Sequence, residues 1–158
     1  MGNHKTLILG LGNILLNDEG IGIHAVNQMI KMDWPEGVDL LDGGTGGFSL
    51  LSVFQTYDTI IIIDAALSDD SSKMPKILEP KFSKDFPPSL SAHNLGLKDM
   101  IESAILMGHL PKIYLVAVPI NSRQNMEMEL SEELKQMIPK IIEMAKGILT
   151  KHLGLTSY

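Results

Sequence analysis

Three side chains that can bind a metal ion or transfer a proton lie near the ends of strand-like runs of this chain. They are Glu19, Asp64 and His93. If those runs are parallel strands of one sheet, their carboxyl ends meet at one edge, where the three side chains would come together. Carboxylate oxygen and imidazole nitrogen are ligands that suit nickel or zinc. The sequence therefore predicts a divalent-metal site at that edge.

Each of these residues also has a structural explanation. Glu19 could stabilise the first turn of a helix through the helix dipole, and a lone histidine such as His93 could be a cap or a surface residue. Asp64 follows four isoleucines, so its carboxylate would be poorly solvated unless it bonds the backbone or a ligand. Residue type alone leaves both kinds of explanation open.

Apolar runs and stretches of helical spacing alternate along the chain, which is typical of an α/β layered fold with a largely parallel sheet. Strands are predicted at Thr6–Leu11, Val38–Leu41, Thr59–Ile63 and Ile113–Val118, with a possible edge strand at Lys76–Leu78. Helices are predicted at Ile21–Lys31, Phe48–Phe54 and Asn94–Met107, and from the cap Ser131 through Leu149. Asp18 is a candidate cap for the first helix, and Pro139 is expected to kink or restart the last one. His24 is expected on a solvated helix face.

The composition excludes several kinds of chemistry. The chain has 158 residues and no cysteine, which removes disulfides, thiolate zinc sites, iron–sulfur clusters and cysteine nucleophiles. Its formal net charge is −6 and its basic residues are scattered, which disfavours binding to nucleic acid. The length predicts a single domain over residues 1–158.

The start of the chain does not resemble a targeting segment. The apolar run Leu7–Leu16 is interrupted by glycine and asparagine and is followed by acidic residues, unlike a signal peptide. No stretch approaches the roughly 18 apolar residues that a membrane span needs. We therefore expect a cytoplasmic protein without a membrane span.

Two glycine-rich stretches have competing explanations. Gly10-x-Gly12 resembles the start of a dinucleotide-binding fingerprint, but Leu15 stands where the third glycine is required and the acidic pair that follows would repel a pyrophosphate. The loop Asp42–Gly47 is either a tight turn or a place where a peptide main chain approaches closely. The chain has no Gly-x-Ser-x-Gly and no His-Glu-x-x-His motif, so a hydrolase would need another chemistry.

Four motifs, in sequence order, resemble those of the nickel–iron hydrogenase maturation endopeptidases. The stretch Gly10–Gly22 resembles the family's N-terminal signature, and Asp42–Thr45 resembles its glycine loop. Ile62–Ala65 resembles the end of its central strand, and Ser91–Leu97 resembles its histidine motif. The combination is specific, although any one motif alone is not.

This resemblance implies an activity, a fold and a set of site residues. Enzymes of that family remove a short C-terminal extension from the hydrogenase large subunit once nickel has been inserted. Their fold is a twisted sheet with helices on both faces, which makes three layers. The implied metal ligands are Glu19, Asp64 and His93. The implied substrate-recognition residues are Asp42, Gly43, Gly44 and Thr45.

The chemistry at the implied site has several alternatives. Either Asp64 or Glu19 could be the catalytic base, as in an aspartyl-type protease. The nickel would be carried by the substrate or bound at the site, with zinc or cadmium as a surrogate. A non-catalytic nickel-binding chaperone could use the same ligands, and a nucleotide-binding regulator is a third possibility. The expected partner is the precursor of the hydrogenase large subunit, and no nucleic acid.

Overall fold

The computed structural model describes residues 5–44, 50–68, 74–91, 97–121 and 125–155. Over these residues the strands are β1 (Thr6–Gly10), β2 (Val38–Asp42), β3 (Thr59–Leu67), β4 (Lys76–Leu78) and β5 (Lys112–Ile120). The α-helices are α1 (Ile21–Met29), α2 (Leu50–Thr56), α3 (Leu97–Leu106) and α4 (Glu132–Leu153), and short 3₁₀ helices span Asn17–Gly20 and Ser83–Asp85. Each predicted strand and helix therefore has a counterpart in the structure.

The strands form one sheet in the order β2-β1-β3-β5-β4. The first four of these are mutually parallel, and β4 pairs antiparallel with β5 at the edge. This arrangement confirms the predicted α/β fold with a mostly parallel sheet. It also confirms the short edge strand.

The central strand β3 is buried on both faces, as its isoleucine run predicts. Ile61 and Ile63 belong to a core that also contains the buried faces of α1 and α4. Ile60 and Ile62 belong to a second core, formed with α2 and α3. Helices therefore cover both faces of the sheet, which confirms the three-layer architecture.

Strand β3 is longer than the sequence predicts. The isoleucine run suggested an end at Ile63, but the strand continues through Leu67, so Asp64 lies inside it rather than after it. β5 pairs with β3 over its whole length, and a bridge from Leu90 to Ala66 supports the opposite side of its last residues. Pairing with distant segments extends the strand beyond the hydrophobic run, which local hydrophobicity could not indicate.

The prediction that Asp18 caps the first helix is wrong. The 3₁₀ helix Asn17–Gly20 leads directly into α1, so the N-cap is Gly20, and it makes no side-chain capping bond. Asp18 lies further back along the chain, and its carboxylate binds Ser131 instead.

The last helix begins as predicted and is continuous through Pro139. Ser131 is its N-cap, and the Ser131 Oγ accepts the Leu134 N–H at 3.4 Å. Pro139 does not restart the helix, which runs without a break from Glu132 to Leu153. Burial of its apolar face in the core offsets the cost of an internal proline, about 3 kcal/mol. No helix within the described ranges is both long and apolar enough to cross a bilayer.

Two helical glycines allow a matched test of how closely α1 packs on the sheet. A Cβ added at Gly22 would collide with the carbonyl oxygens of Ile63 and Leu11, whereas a Cβ at Gly147 in α4 would meet nothing within 4 Å. Gly22→Ala should therefore lower the free energy of unfolding by about 1–3 kcal/mol. Gly147→Ala should raise it by up to about 1 kcal/mol. Urea denaturation measures both changes in the free energy of unfolding. If the two variants shift it in the same direction, this account of the packing is contradicted.

Candidate active site at the carboxyl edge of the sheet

The strand order places a crevice between β1 and β3. β1 has β2 on one side and β3 on the other, and α1 and α2 pack on opposite faces of the sheet. In open α/β sheets, ligands bind at such a switch point, beyond the carboxyl ends of the strands. The Leu11 N–H donates to the Ile63 carbonyl at 3.0 Å, after which the chain turns away from β3 at Gly12, whose φ is +140°.

Asp64 lies where β1 leaves β3. Its side chain is 0% exposed, and its Oδ1 accepts the Ala65 N–H at 2.9 Å. Because backbone groups alternate in direction along a strand, Ala65 faces the same side as Ile63, where β1 no longer provides an acceptor. The carboxylate thus binds the strand amide at the split between the two strands. Of the two kinds of partner expected for this carboxylate, the backbone or a ligand, the structure shows a bond to the backbone.

Glu19 lies in the 3₁₀ helix that follows β1, and this helix packs against β3. Its N–H donates to the Leu16 carbonyl at 3.0 Å, and its carbonyl accepts the Asn13 N–H at 3.2 Å. A Cβ at Gly12 would collide with that same carbonyl, so the turn requires glycine there. The backbone of Glu19 is therefore fixed at the carboxyl edge, while its side chain is half-buried.

A distant segment holds this 3₁₀ helix from the other side. Asp18 is 5% exposed, and its two carboxylate oxygens accept the N–H and the Oγ–H of Ser131 at 2.8 and 2.9 Å. Asn17 has a φ of +52°, and its N–H donates to the Glu127 carbonyl at 2.7 Å. Its Nδ2 donates to the Glu129 carbonyl at 2.6 Å. The loop that carries Glu19 is thus tied to the start of α4.

Sequence reasoning missed this connection. Asp18 and Ser131 lie 113 positions apart in the sequence, so no local spacing links them. The available signal was chemical: two adjacent acidic residues follow the first strand, and only one of them is needed as a ligand. The structure shows that Asp18 binds Ser131, and the chemical role of Glu19 stays a prediction.

The glycine loop begins at the end of β2, on the same edge of the sheet. Asp42 is exposed, and its Oδ1 accepts the Gly44 N–H at 2.9 Å while its Oδ2 accepts an N–H from Asn27 at 3.1 Å. A Cβ at Gly43 would lie 2.8 Å from the Gly10 carbonyl oxygen, so packing against β1 requires this glycine. Gly44 has a φ of +52°, and a Cβ added there would lie 3.9 Å from the Asp42 Oδ1. Thr45 lies outside the described residues.

His93 also lies outside the described residues, so the convergence of the three predicted ligands stays a prediction. Ser91 is buried at 9% exposure, and it follows directly after the bridge between Leu90 and Ala66 of β3. The chain therefore reaches the carboxyl end of β3 two residues before His93. Within the part of the chain that the structure describes, no group of three histidine or carboxylate side chains could hold a metal ion.

The expectation that His24 is solvated is wrong. Its Nε2 is buried and has no hydrogen-bond partner among the described residues. The imidazole lies beside Gly20, where an added Cβ would be 3.3 Å from the His24 Cδ2. His24 also borders a cavity of about 450 Å³ between α1, residues 128–130 and α4. Position on the helix face did not reveal this, because the covering residues come from the far end of the chain.

Comparison with known proteins gives a consistent family. A family model for hydrogenase maturation proteases, HycI, matches residues 23–148. The hydrogenase 2 maturation protease of Escherichia coli is 31% identical over 148 residues, covering 92% of this chain and 90% of that protein. The hydrogenase expression/formation protein HupD of Rhizobium leguminosarum is 31% identical over 151 residues, covering 92% and 74%.

Solved structures agree with these sequence matches. The hydrogenase maturating endopeptidase HybD from Escherichia coli superposes with a TM-score of 0.84 at 32% identity, covering 96% of this chain and 94% of that one. The [NiFe] hydrogenase maturation protease HybD from Thermococcus kodakarensis has a TM-score of 0.72 at 24% identity, which supports the fold. Both comparisons extend over nearly the whole chain.

The contact between Asp18 and Ser131 can be tested by a double-mutant cycle. Asp18→Ala and Ser131→Ala should each lower the free energy of unfolding by about 1–3 kcal/mol. Asp18→Ala removes both acceptors of Ser131, and Ser131→Ala removes a hydroxyl donor to Asp18 and the side-chain cap of α4. The double variant should show a coupling energy of about 0.5–3 kcal/mol in denaturant unfolding. Asp18→Ala combined with Glu143→Ala, an exposed change in α4, is the control and should be additive. Additivity of the Asp18 and Ser131 changes would contradict the contact.

Proposed function

Because this chain belongs to the hydrogenase maturation protease family, we propose that it removes the C-terminal extension from the precursor of a nickel-loaded hydrogenase large subunit. Membership of that family makes the chain a peptidase, which favours the enzyme over a non-catalytic nickel chaperone. The observation that carries the proposal is the position of Asp64. Its buried carboxylate lies at the switch point of the sheet, beside the fixed loop of Glu19.

The proposed metal is the nickel that the substrate carries. Glu19, Asp64 and His93 would contact it, because two carboxylates and an imidazole form a donor set that suits nickel. Three protein ligands leave coordination positions for groups of the substrate. Contact with the loaded metal would make cleavage conditional on nickel insertion. Zinc or cadmium could replace nickel at the same donors.

The proposed reaction is hydrolysis of one peptide bond. Asp64 or Glu19 accepts a proton from a water molecule, the water oxygen attacks the carbonyl carbon, and the proton passes to the leaving amine as the carbon–nitrogen bond breaks. The position of Asp64 suits this role, because its carboxylate is held at the switch point of the sheet by the bond from the Ala65 N–H to its Oδ1. The products are the shortened large subunit and the released extension.

The glycine loop is the proposed contact for the substrate's main chain. Asp42 is exposed at the carboxyl end of β2, so its carboxylate remains accessible while it orders the turn. Gly44 carries no side chain, which would let a peptide main chain approach the loop at this position. Gly43 and Thr45 complete the proposed recognition segment. Cleavage would take place in the cytoplasm, by a single domain spanning residues 1–158.

Mass spectrometry of the precursor tests the function directly. We expect the nickel-loaded precursor to lose its extension on incubation with this protein, and the nickel-free precursor to remain intact. Asp64→Asn and His93→Ala should slow processing by about 10²-fold or more. His109→Ala is the matched control, because His109 is exposed and precedes β5 at the opposite edge of the sheet, and it should process normally. An unchanged mass in the wild-type reaction with nickel-loaded precursor would remove the protease assignment.

Zinc binding to the isolated protein tests the ligand set. Glu19→Gln should weaken zinc binding, measured by calorimetry, by about tenfold or more, because even changes to groups behind a ligand cost that much. Glu36→Gln is the control, since Glu36 is exposed and precedes β2 at the other edge. Equal binding by the two variants would contradict the role of Glu19. A wild-type protein that binds no zinc would assign the metal to the substrate alone.

A further inference from the structure

A pocket of about 300 Å³ opens beside the candidate catalytic carboxylate, on the same face of the sheet. In the sheet, Asp64 of β3 pairs with Ala117 of β5, and Ala117 pairs in turn with Lys76 of β4. Residues at paired positions direct their side chains to the same face. Asp64, Ala117 and Lys76 therefore form one row across neighbouring strands.

The small residues in and next to this row form the floor of the pocket. They are Ala66, Ala117 and Pro119. Ala66 is two residues beyond Asp64 on the same face of β3, and it pairs with Pro119. Strands lie about 4.8 Å apart, so the floor begins one strand from the carboxylate. A substrate whose peptide bond lies at Asp64 would have a neighbouring side chain above this floor.

The walls of the pocket are largely apolar, and Lys76 is the charged residue in the lining. The apolar residues of the walls are Leu78 of β4, Pro87 and Met74, which is 50% exposed. At the rim, the Leu67 N–H donates to the Ser89 carbonyl and the Ser68 N–H donates to the Ile120 carbonyl, both at 2.9 Å. These two backbone amides are already satisfied and are not needed by a ligand. The alanine floor and the apolar wall residues therefore favour an apolar group in the pocket.

We propose that this pocket, floored by Ala66 and Ala117, binds one apolar side chain of the substrate next to the bond that is cleaved. The proposal rests on the proposed protease function. The pocket's volume is at the low end of ligand sites, which span roughly 300–1,000 Å³, so it matches a single side chain rather than a cofactor. Lys76 at the end of the row disfavours lysine or arginine in that position, through repulsion of like charge.

Complementary changes of side-chain size in the enzyme and in the precursor, followed by kcat/KM, test this proposal. Ala117→Leu fills the floor and should lower kcat/KM for the nickel-loaded precursor by about tenfold or more, since one or two methylene groups in an apolar pocket have that effect. Glu143→Leu is the control, because Glu143 is exposed in α4 on the other face of the sheet, and this variant should keep the wild-type kcat/KM. The Ala117→Leu enzyme should regain much of the lost rate on a second precursor, in which alanine replaces the apolar residue that occupies the pocket.

Substitutions in the precursor, tested with the wild-type enzyme, do not depend on whether the enzyme variants fold. Each of the two residues on either side of the cleaved bond is changed in turn to alanine, leucine and lysine. We expect one position at which leucine is preferred and lysine slows processing by about tenfold or more. Ala66→Val adds a smaller side chain to the floor. It should slow cleavage less than Ala117→Leu, and the same alanine substitution in the precursor should restore the rate.

The outcomes separate the two proposals. If the wild-type enzyme cleaves its precursor but no position shows a preference, the pocket is not a substrate subsite. The same conclusion follows if the Ala117→Leu enzyme cleaves at the wild-type rate. It also follows if this enzyme is folded and slow, yet no alanine substitution in the precursor restores the rate. If the wild-type enzyme cleaves no nickel-loaded precursor, the protease function itself fails, and the subsite assignment fails with it.

Discussion

The divergence of β1 from β3 after the bond between Leu11 and Ile63 is the constraint on which the rest of the site depends. Past that point, β3 continues while β1 turns away through Gly12, which opens the crevice at the carboxyl edge. The close approach of α1 to both strands allows no side chain at Gly22, and the turn that carries Glu19 allows none at Gly12. A crevice of this kind requires glycine at those positions, because any Cβ would strike a backbone carbonyl.

The same divergence explains why a carboxylate can be buried in the middle of a hydrophobic strand. An unpaired buried carboxylate is costly, and it is tolerated where it satisfies groups that the fold leaves open. Asp64 accepts the Ala65 N–H on the side from which β1 has departed. This bond gives Asp64 a structural role at the point where the two strands separate, and that role is compatible with the proposed chemical one.

The first loop is held in place by the far end of the chain. Asp18 binds the N-cap of α4, and Asn17 binds the backbone of residues 127 and 129. A carboxylate at a helix N-terminus is also favoured by the helix dipole. The exposed methionines of this segment, Met126 and Met128, lie next to the loop that carries Glu19. A precursor that contacts residues 125–130 would thus touch a segment bonded directly to the candidate site.

The sequence by itself determined the layered α/β fold, the central strand, the cap at Ser131 and the family, because these depend on local hydrophobic patterns and on motifs that are continuous along the chain. It identified Glu19 and Asp64 as candidates for chemistry by residue type. Only the tertiary structure decided that Asp64 lies inside β3, that Asp18 binds Ser131, and that Ala117 stands between Asp64 and Lys76. These facts depend on strand register and on contacts between segments far apart in sequence, and local spacing carries no information about either.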